Sequence, residues 1–199
     1  MPGCKKKMAI KIEAIKTLDD LNHDGLILGF FSDERPPRGH CGFADWRLNG
    51  MISKQLFDGN LTGSSLEKVL IAANRRLPSS KILLIGLGHI AELSYDILYS
   101  AGYAFAGNVE NLKWDDFAFE IPGTGRCNLE MPIMTEAVLT GFFDAFSKDI
   151  GNLEVLNPVL LIEQEMIAPV LEGAERFKKN IKGVIPVELE KVKSLELEV

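Results

Sequence analysis

The chain has 199 residues, 46% of them hydrophobic and 25% charged, with a formal net charge of −6. That length supports one sizeable hydrophobic core rather than two ordinary domains. The acidic balance speaks against a nucleic-acid binder, which would carry a basic face, and no run approaches the ~18 consecutive apolar residues of a membrane span.

The opening stretch MPGCKKKMAIKIEAI is basic but has no long apolar segment behind it, so a secretory signal is not expected. Lys5, Lys6 and Lys7 read as a solvated tip over residues 1–7. Cys4, Cys41 and Cys127 are odd in number and far apart. They predict neither a disulfide framework nor a structural zinc site, and they suit a reducing, cytoplasmic compartment.

MAIKIEAI alternates from Met8 and predicts a half-buried strand. HDGLILGFFSD, from His23, is more continuously apolar and predicts a buried one. SDERPPRGHCG then breaks the pattern as a surface loop. In FADWRLNGMISKQLFDG, the residues Phe43, Trp46, Met51 and Leu56 fall at roughly helical spacing, with Gly50 as a weak point. LEKVLIAA from Leu66 and SKILLIGLG from Ser80 predict an antiparallel strand pair. HIAELSYDILYSAGYAFAG predicts a helix, DFAFEIP a strand, and PIMTEAVLTGFFDAFSK a helix with Pro132 in its first turn.

VLNPVLLIEQ predicts a further strand, which Pro158 would put near a sheet edge or at an irregularity. EMIAPVLEGAERFKKN predicts the final helix, either kinked at Pro169 or starting there. The strand–helix alternation after Ser80 is that of parallel crossovers. The expected fold is therefore α/β: a mixed sheet between helix layers, in one domain over residues 8–182. The tail 183–199 ends in SLELEV, whose alternation suits an added edge strand or a solvated tail.

Two glycine turns follow strands. Gly86-Leu87-Gly88-His89-Ile90-Ala91 fits G-x-G-x-x-A, in which glycines let a backbone approach a pyrophosphate at a helix N-terminus. The acidic ribose partner of that fingerprint should lie about 20 residues on. Here the next strand's carboxylate is Glu120, well past that spacing, so no dinucleotide cofactor is expected. In the second turn, Gly123, Thr124 and Gly125 could aim successive amides at an anion, with charge from Arg126 and the following helix dipole. The alternative is a plain glycine-rich strand-to-helix connection.

Other chemistry is sparse. His40 and Cys41 are adjacent, but a metal would need ligands from elsewhere. HExxH, G-x-S-x-G and Walker A patterns are absent, so neither a catalytic set nor a metal site is expected. Met131, Met134, Phe142, Phe143 and Phe146 read as core. Glu110, Asp115 and Asp116 read as a solvated connection.

The order of segments, with Ile85-Gly86-Leu87-Gly88 closing a hairpin, resembles the N-terminal domain of the leucyl aminopeptidase family over roughly residues 8–182. The resemblance implies a macro-domain-like fold, a three-layer α/β/α sandwich. It also implies that Gly123, Thr124, Gly125 and Arg126 correspond to a diphosphate-wrapping loop. The asparagine-rich segment of ADP-ribose-binding macro domains is replaced here by GFFSDERPPRG, and the aminopeptidase metal-binding motifs such as NTDAEGR do not occur.

The leading expectation is accordingly a stand-alone, non-catalytic domain acting in protein association or regulation, by self-association or on another protein. The alternative is a binder of a nucleotide or ADP-ribose-like phosphorylated ligand at residues 123–126, helped by Gly86 and Gly88. An enzyme acting on ADP-ribosyl groups rests on fold analogy alone.

Overall fold

The computed structural model describes residues 8–14, 18, 22–146, 156–181 and 187–191. In chain order the elements are β1 (Met8–Ala14), β2 (Gly25–Phe30), α1 (Gly39–Arg47), α2 (Met51–Phe57), β3 (Lys68–Ala72), β4 (Lys81–Gly86), α3 (Tyr95–Leu112), β5 (Asp116–Glu120), α4 (Met131–Ala145), β6 (Asn157–Ile162), α5 (Ile167–Asn180) and β7 (Val187–Lys191). The strands form one sheet in the order β3-β4-β2-β5-β6-β1-β7. β3 runs antiparallel to β4, and the other described pairings are parallel.

The apolar runs of the central strands are continuous because both faces of the sheet are covered. Successive side chains point to opposite faces. Leu26, Leu28, Phe30, Ile82 and Leu84 pack with Cys41 and Ala44 of α1, Leu48 just after it, and Ile52 and Leu56 of α2. Ile27, Ile85, Phe117, Phe119 and Leu160 pack with residues of α3, α4 and α5. The result is the α/β/α sandwich.

On the thicker side α3 and α4 approach closely because each offers a glycine. A Cβ on Gly102 would lie 2.1 Å from the Val138 carbonyl oxygen, and one on Gly141 would lie 1.9 Å from that of Tyr99. Phe119 of β5 and Phe142 of α4 stack with centroids 5.8 Å apart.

Several expectations are corrected. Pro158 lies in an interior strand, not at an edge. It is the second residue of β6, and the β1 ladder begins only at Val159, so no β1 hydrogen bond is lost to it. The helix expected across Phe43–Gly59 is two helices, because Asn49 and Gly50 take left-handed φ values of 58° and 73°. The helix expected from His89 starts at Tyr95, where the Ser94 hydroxyl oxygen accepts from the Ile97 amide at 3.4 Å. Pro169 sits in the first turn of α5 and marks its start. Asp116, read as solvated, meets His23 Nδ1 at 2.7 Å and Asn157 Nδ2 at 3.2 Å, at the amino ends of the strands. The Lys5–Lys7 tip, Cys4 and SLELEV lie outside the described residues.

Candidate functional site

In open parallel sheets, ligands gather outside the carboxyl ends of the strands. Here β2, β5 and β6 end side by side. They deliver the segment after β2, Glu120 at the end of β5, the glycine turn at residues 123–126, and Glu163 after β6. A cleft of about 30 Å³ between them is lined by Gly39, His40, Glu120, Thr124, Arg126 and Glu163, among others. That is room for a water or two.

The charges around the cleft compensate one another. Glu120 is buried at 3% exposure, and its carboxylate accepts the Gly29 amide at 2.8 Å and meets His40 Nδ1 at 2.7 Å. Burial alone pulls the His40 pKa down. The hydrogen bond and charge of Glu120, aided by Glu163, outweigh it, so the pKa ends above its ordinary value. Arg126 Nη1 lies 2.6 Å from Glu34 Oε1, and its guanidinium sits 5.3 Å from the Phe31 ring centroid. Gly39 is left-handed at φ 60°, and a Cβ there would meet Arg126 Nη2 at 3.1 Å.

In the turn itself, Gly123 and Gly125 have φ of 84° and 69°. The Thr124 hydroxyl donates to the Ile121 carbonyl at 2.7 Å, and the Arg126 amide to the Gly123 carbonyl at 3.0 Å. Among the described residues no acceptor faces the amides of Gly123, Thr124 or Gly125, and Arg126 Nε is buried without a partner. Gly123 lies under Leu93, Ile90 and Phe31, the first of which a Cβ would meet at 2.6 Å.

The other turn is different in kind. Gly86 donates to the Glu67 carbonyl, Leu87 to that of Phe30 and Gly88 to that of Gly63. A Cβ on Gly86 would lie 2.1 Å from the Ser64 carbonyl oxygen. Gly86 thus serves close packing of backbone on backbone, Gly88 supplies a left-handed φ of 74°, and all three amides are engaged. The turn is also one strand removed from the Gly123 loop, since β2 separates β4 from β5. Gly86 and Gly88 therefore offer a ligand no free amide.

His40 and Cys41 part company: His40 faces the cleft, whereas Cys41 is buried against β2, where desolvation raises its thiol pKa well above the usual range. Among the described residues no group of three His, Cys, Asp or Glu side chains could hold a metal ion, and no helix is long and apolar enough to cross a membrane.

A second region lies on the outer face of α1. Phe43 and Trp46, three residues apart on one helix face, are 61% and 73% exposed. They line an open groove with Pro37, Arg38, Gly39 and Gly42. A Cβ on Gly42 would lie 2.5 Å from the Pro37 carbonyl oxygen, so glycine lets the helix fold back on its own lead-in. The Arg47 guanidinium lies 5.9 Å from the Trp46 ring centroid.

Residues 27–145, more than half of the chain, match the N-terminal domain of the cytosol aminopeptidase family. The chain belongs to that family. A probable cytosol aminopeptidase of Synechocystis is 26% identical over 117 residues, covering 59% of this chain and 23% of that protein. The chain thus spans about a quarter of the length of the curated relatives it matches. In fold it is similar to a Trypanosoma brucei macrodomain solved with ADP, at TM-score 0.66 and 12% identity, covering 83% of this chain and 68% of that one. The same macrodomain was also solved with ADP-ribose. Tomato leucine aminopeptidase is similar at TM-score 0.60 and 17% identity, over 87% of this chain and 37% of that one.

This cytosol aminopeptidase-family domain therefore has the macro-domain-like sandwich that the order of its segments implied. Sequence reasoning missed the Glu34–Arg126 and His40–Glu120 pairs. A signal for the second was present, since Glu120 is a lone carboxylate between Phe119 and Ile121 in a run that must be buried. The outward turn of Phe43 and Trp46 was missed because helical spacing alone does not say which face of a helix is buried. The apolar residues buried along α1, its C-cap and α2 are Cys41, Ala44, Leu48, Ile52 and Leu56.

Proposed function

We propose that this family domain is a non-catalytic association module of the cytoplasm that docks on another protein through the outer face of α1. The observation that carries this is the exposure of Phe43 and Trp46 side by side at the groove. Single exposed apolar residues are ordinary, but adjacent large aromatics beside arginine are the composition of interface hot spots. The compensated cleft supports the same reading: its ion pairs are closed on one another, and its volume is far below that of a nucleotide site.

The test compares the native chain with a Phe43→Ser/Trp46→Ser variant whose melting is unchanged. Expected are a partner recovered from cell extract by the native chain and lost by the variant, and no release of amino acids from peptides with manganese or zinc. Identical recovery by both chains, or peptidase activity, overturns the proposal.

A second reading, a phosphorylated small-molecule binder at Gly123 to Arg126, is favoured by the amides of Gly123, Thr124 and Gly125 without acceptors and by the unpartnered Arg126 Nε. Macrodomains of similar fold were solved with ADP and ADP-ribose. On this reading Arg126 would have to share itself between Glu34 and the ligand. ADP-ribose at a hundredfold excess over its dissociation constant would then stabilise the native chain by about 2.7 kcal/mol. Absence of any thermal shift removes this reading.

A further inference from the structure

We infer that the groove on α1 receives an acidic segment of the partner protein, anchored by an apolar side chain between Phe43 and Trp46. This rests on the association reading and adds the chemistry of the partner.

The chain is acidic, yet five of its seven arginines, Arg35, Arg38, Arg47, Arg75 and Arg76, fall in the α1 lead-in, α1 itself and the β3–β4 turn. The structure links them. Arg38 lines the groove with Phe43 and Trp46. Arg47 lies over Trp46, and its Nε donates to the Arg76 carbonyl at 3.2 Å. Arg35 Nη2 donates to the Thr62 carbonyl at 3.2 Å rather than to a carboxylate. Among the described residues Arg38, Arg75 and Arg76 have no carboxylate partner.

The acids nearest in the chain are engaged elsewhere. Glu34 is buried against Arg126, and Asp45 is buried and accepts the amides of Ile52 and Ser53. Asp58 pairs with Lys54, and Glu67 holds the backbone of Thr62, Gly63 and Ser64. Among the described residues, the charges of Arg38, Arg75 and Arg76 are therefore unmatched by a carboxylate around two exposed aromatics.

The turn that presents Arg75 and Arg76 carries a further sign. Asn74 and Arg75 both take left-handed φ, at 51° and 61°, and the Arg76 amide closes the turn on the Ala73 carbonyl at 2.9 Å. Such turns favour glycine at the second position, so arginine is held there against local preference. Carboxylates suit this surface because guanidinium forks bind them with two hydrogen bonds. Aromatic faces beside the forks supply the apolar anchor site.

The chain has two tryptophans, and Trp114 is buried, so Trp46 reports on the groove. The experiment titrates the full chain with a glutamate-rich peptide carrying two leucines, a lysine-rich peptide of the same design, and oligothymidylate, following Trp46 emission. The expected result is a saturable blue shift with the glutamate peptide alone, weakened about tenfold or more by high salt and by Arg38→Glu/Arg76→Glu. Both arginines are exposed, so the variant folds as the native chain does by its melting curve; Arg75→Gly, which relieves the turn, is a second variant that tests the charge.

Equal response to the two peptides, or no loss in the charge variants, overturns the inference. Preference for oligothymidylate overturns it in favour of a nucleic-acid surface. If partner recovery depends on Phe43 and Trp46 but not on the arginines, the association reading stands and the acidic partner falls.

Discussion

His40 Nδ1 lies 2.7 Å from Glu120 Oε2, while the other oxygen of that carboxylate takes the Gly29 amide at 2.8 Å. One buried acid thus ties the start of α1 to β5 and β2. Burial lowers the His40 pKa and the Glu120 hydrogen bond and charge raise it by more, so the folded value stands above the unfolded one. Protonated His40 therefore favours the folded chain. Its contribution is full below about pH 6.5, the unfolded value, and is lost as pH rises through the folded pKa. Denaturant midpoints should fall over that interval. Glu120→Gln should remove most of the slope and cost about 1–3 kcal/mol; an unaltered pH slope in this variant would contradict the assignment.

Arg126 and Glu34 make a nearly enclosed ion pair, with side chains 18% and 8% exposed. Removing only the cation strands a buried carboxylate. Arg126→Ala should cost about 3–5 kcal/mol, and adding Glu34→Gln should recover a large part of it. Urea unfolding of the two single variants and the double variant measures the coupling; strictly additive losses would mean the pair contributes nothing as a pair.

Gly141 tests the close approach of α3 and α4. Alanine would gain up to ~1 kcal/mol in helix propensity, but its Cβ would stand 1.9 Å from the Tyr99 carbonyl oxygen, which must move. Gly141→Ala should therefore destabilise by about 1–3 kcal/mol net. A raised melting temperature would show that the helices can separate freely.

Asp45 belongs to α1 yet caps α2, accepting the amides of Ile52 at 2.7 Å and Ser53 at 3.0 Å along with the Ser53 hydroxyl. The left-handed bend at Asn49 and Gly50 makes this possible. Asp45→Ala should cost about 1–2 kcal/mol, and Asp45→Asn less, because the amide oxygen still accepts. Thermal melts of the two variants decide whether it acts as a cap.

Local signals determined most of the scaffold. The apolar runs of β2, β4 and β5, the Pro132 start of α4 and the closely spaced β3–β4 pair are properties of short segments. Backbone and periodicity govern such segments wherever they sit. The order of those segments was enough to imply the sandwich. The two-helix split at Asn49–Gly50 was half legible, since Gly50 was visible as a weak point but the left-handed Asn49 was not.

Only the tertiary structure decided where charge and exposure fall. Glu34 and Arg126 are 92 residues apart in the chain and Glu120 and His40 are 80 apart, so no local pattern could pair them. The predicted β3–β4 pair already sets Glu67 beside Gly86, but the bond from the Gly88 amide to the Gly63 carbonyl lies beyond that ladder. Phe43 and Trp46 share the spacing of core residues, and only the sheet's position beneath α1 determines which stripe of that helix is buried. Periodicity sets the angle between side chains around a helix; the neighbours that the fold assembles set which of those angles faces water.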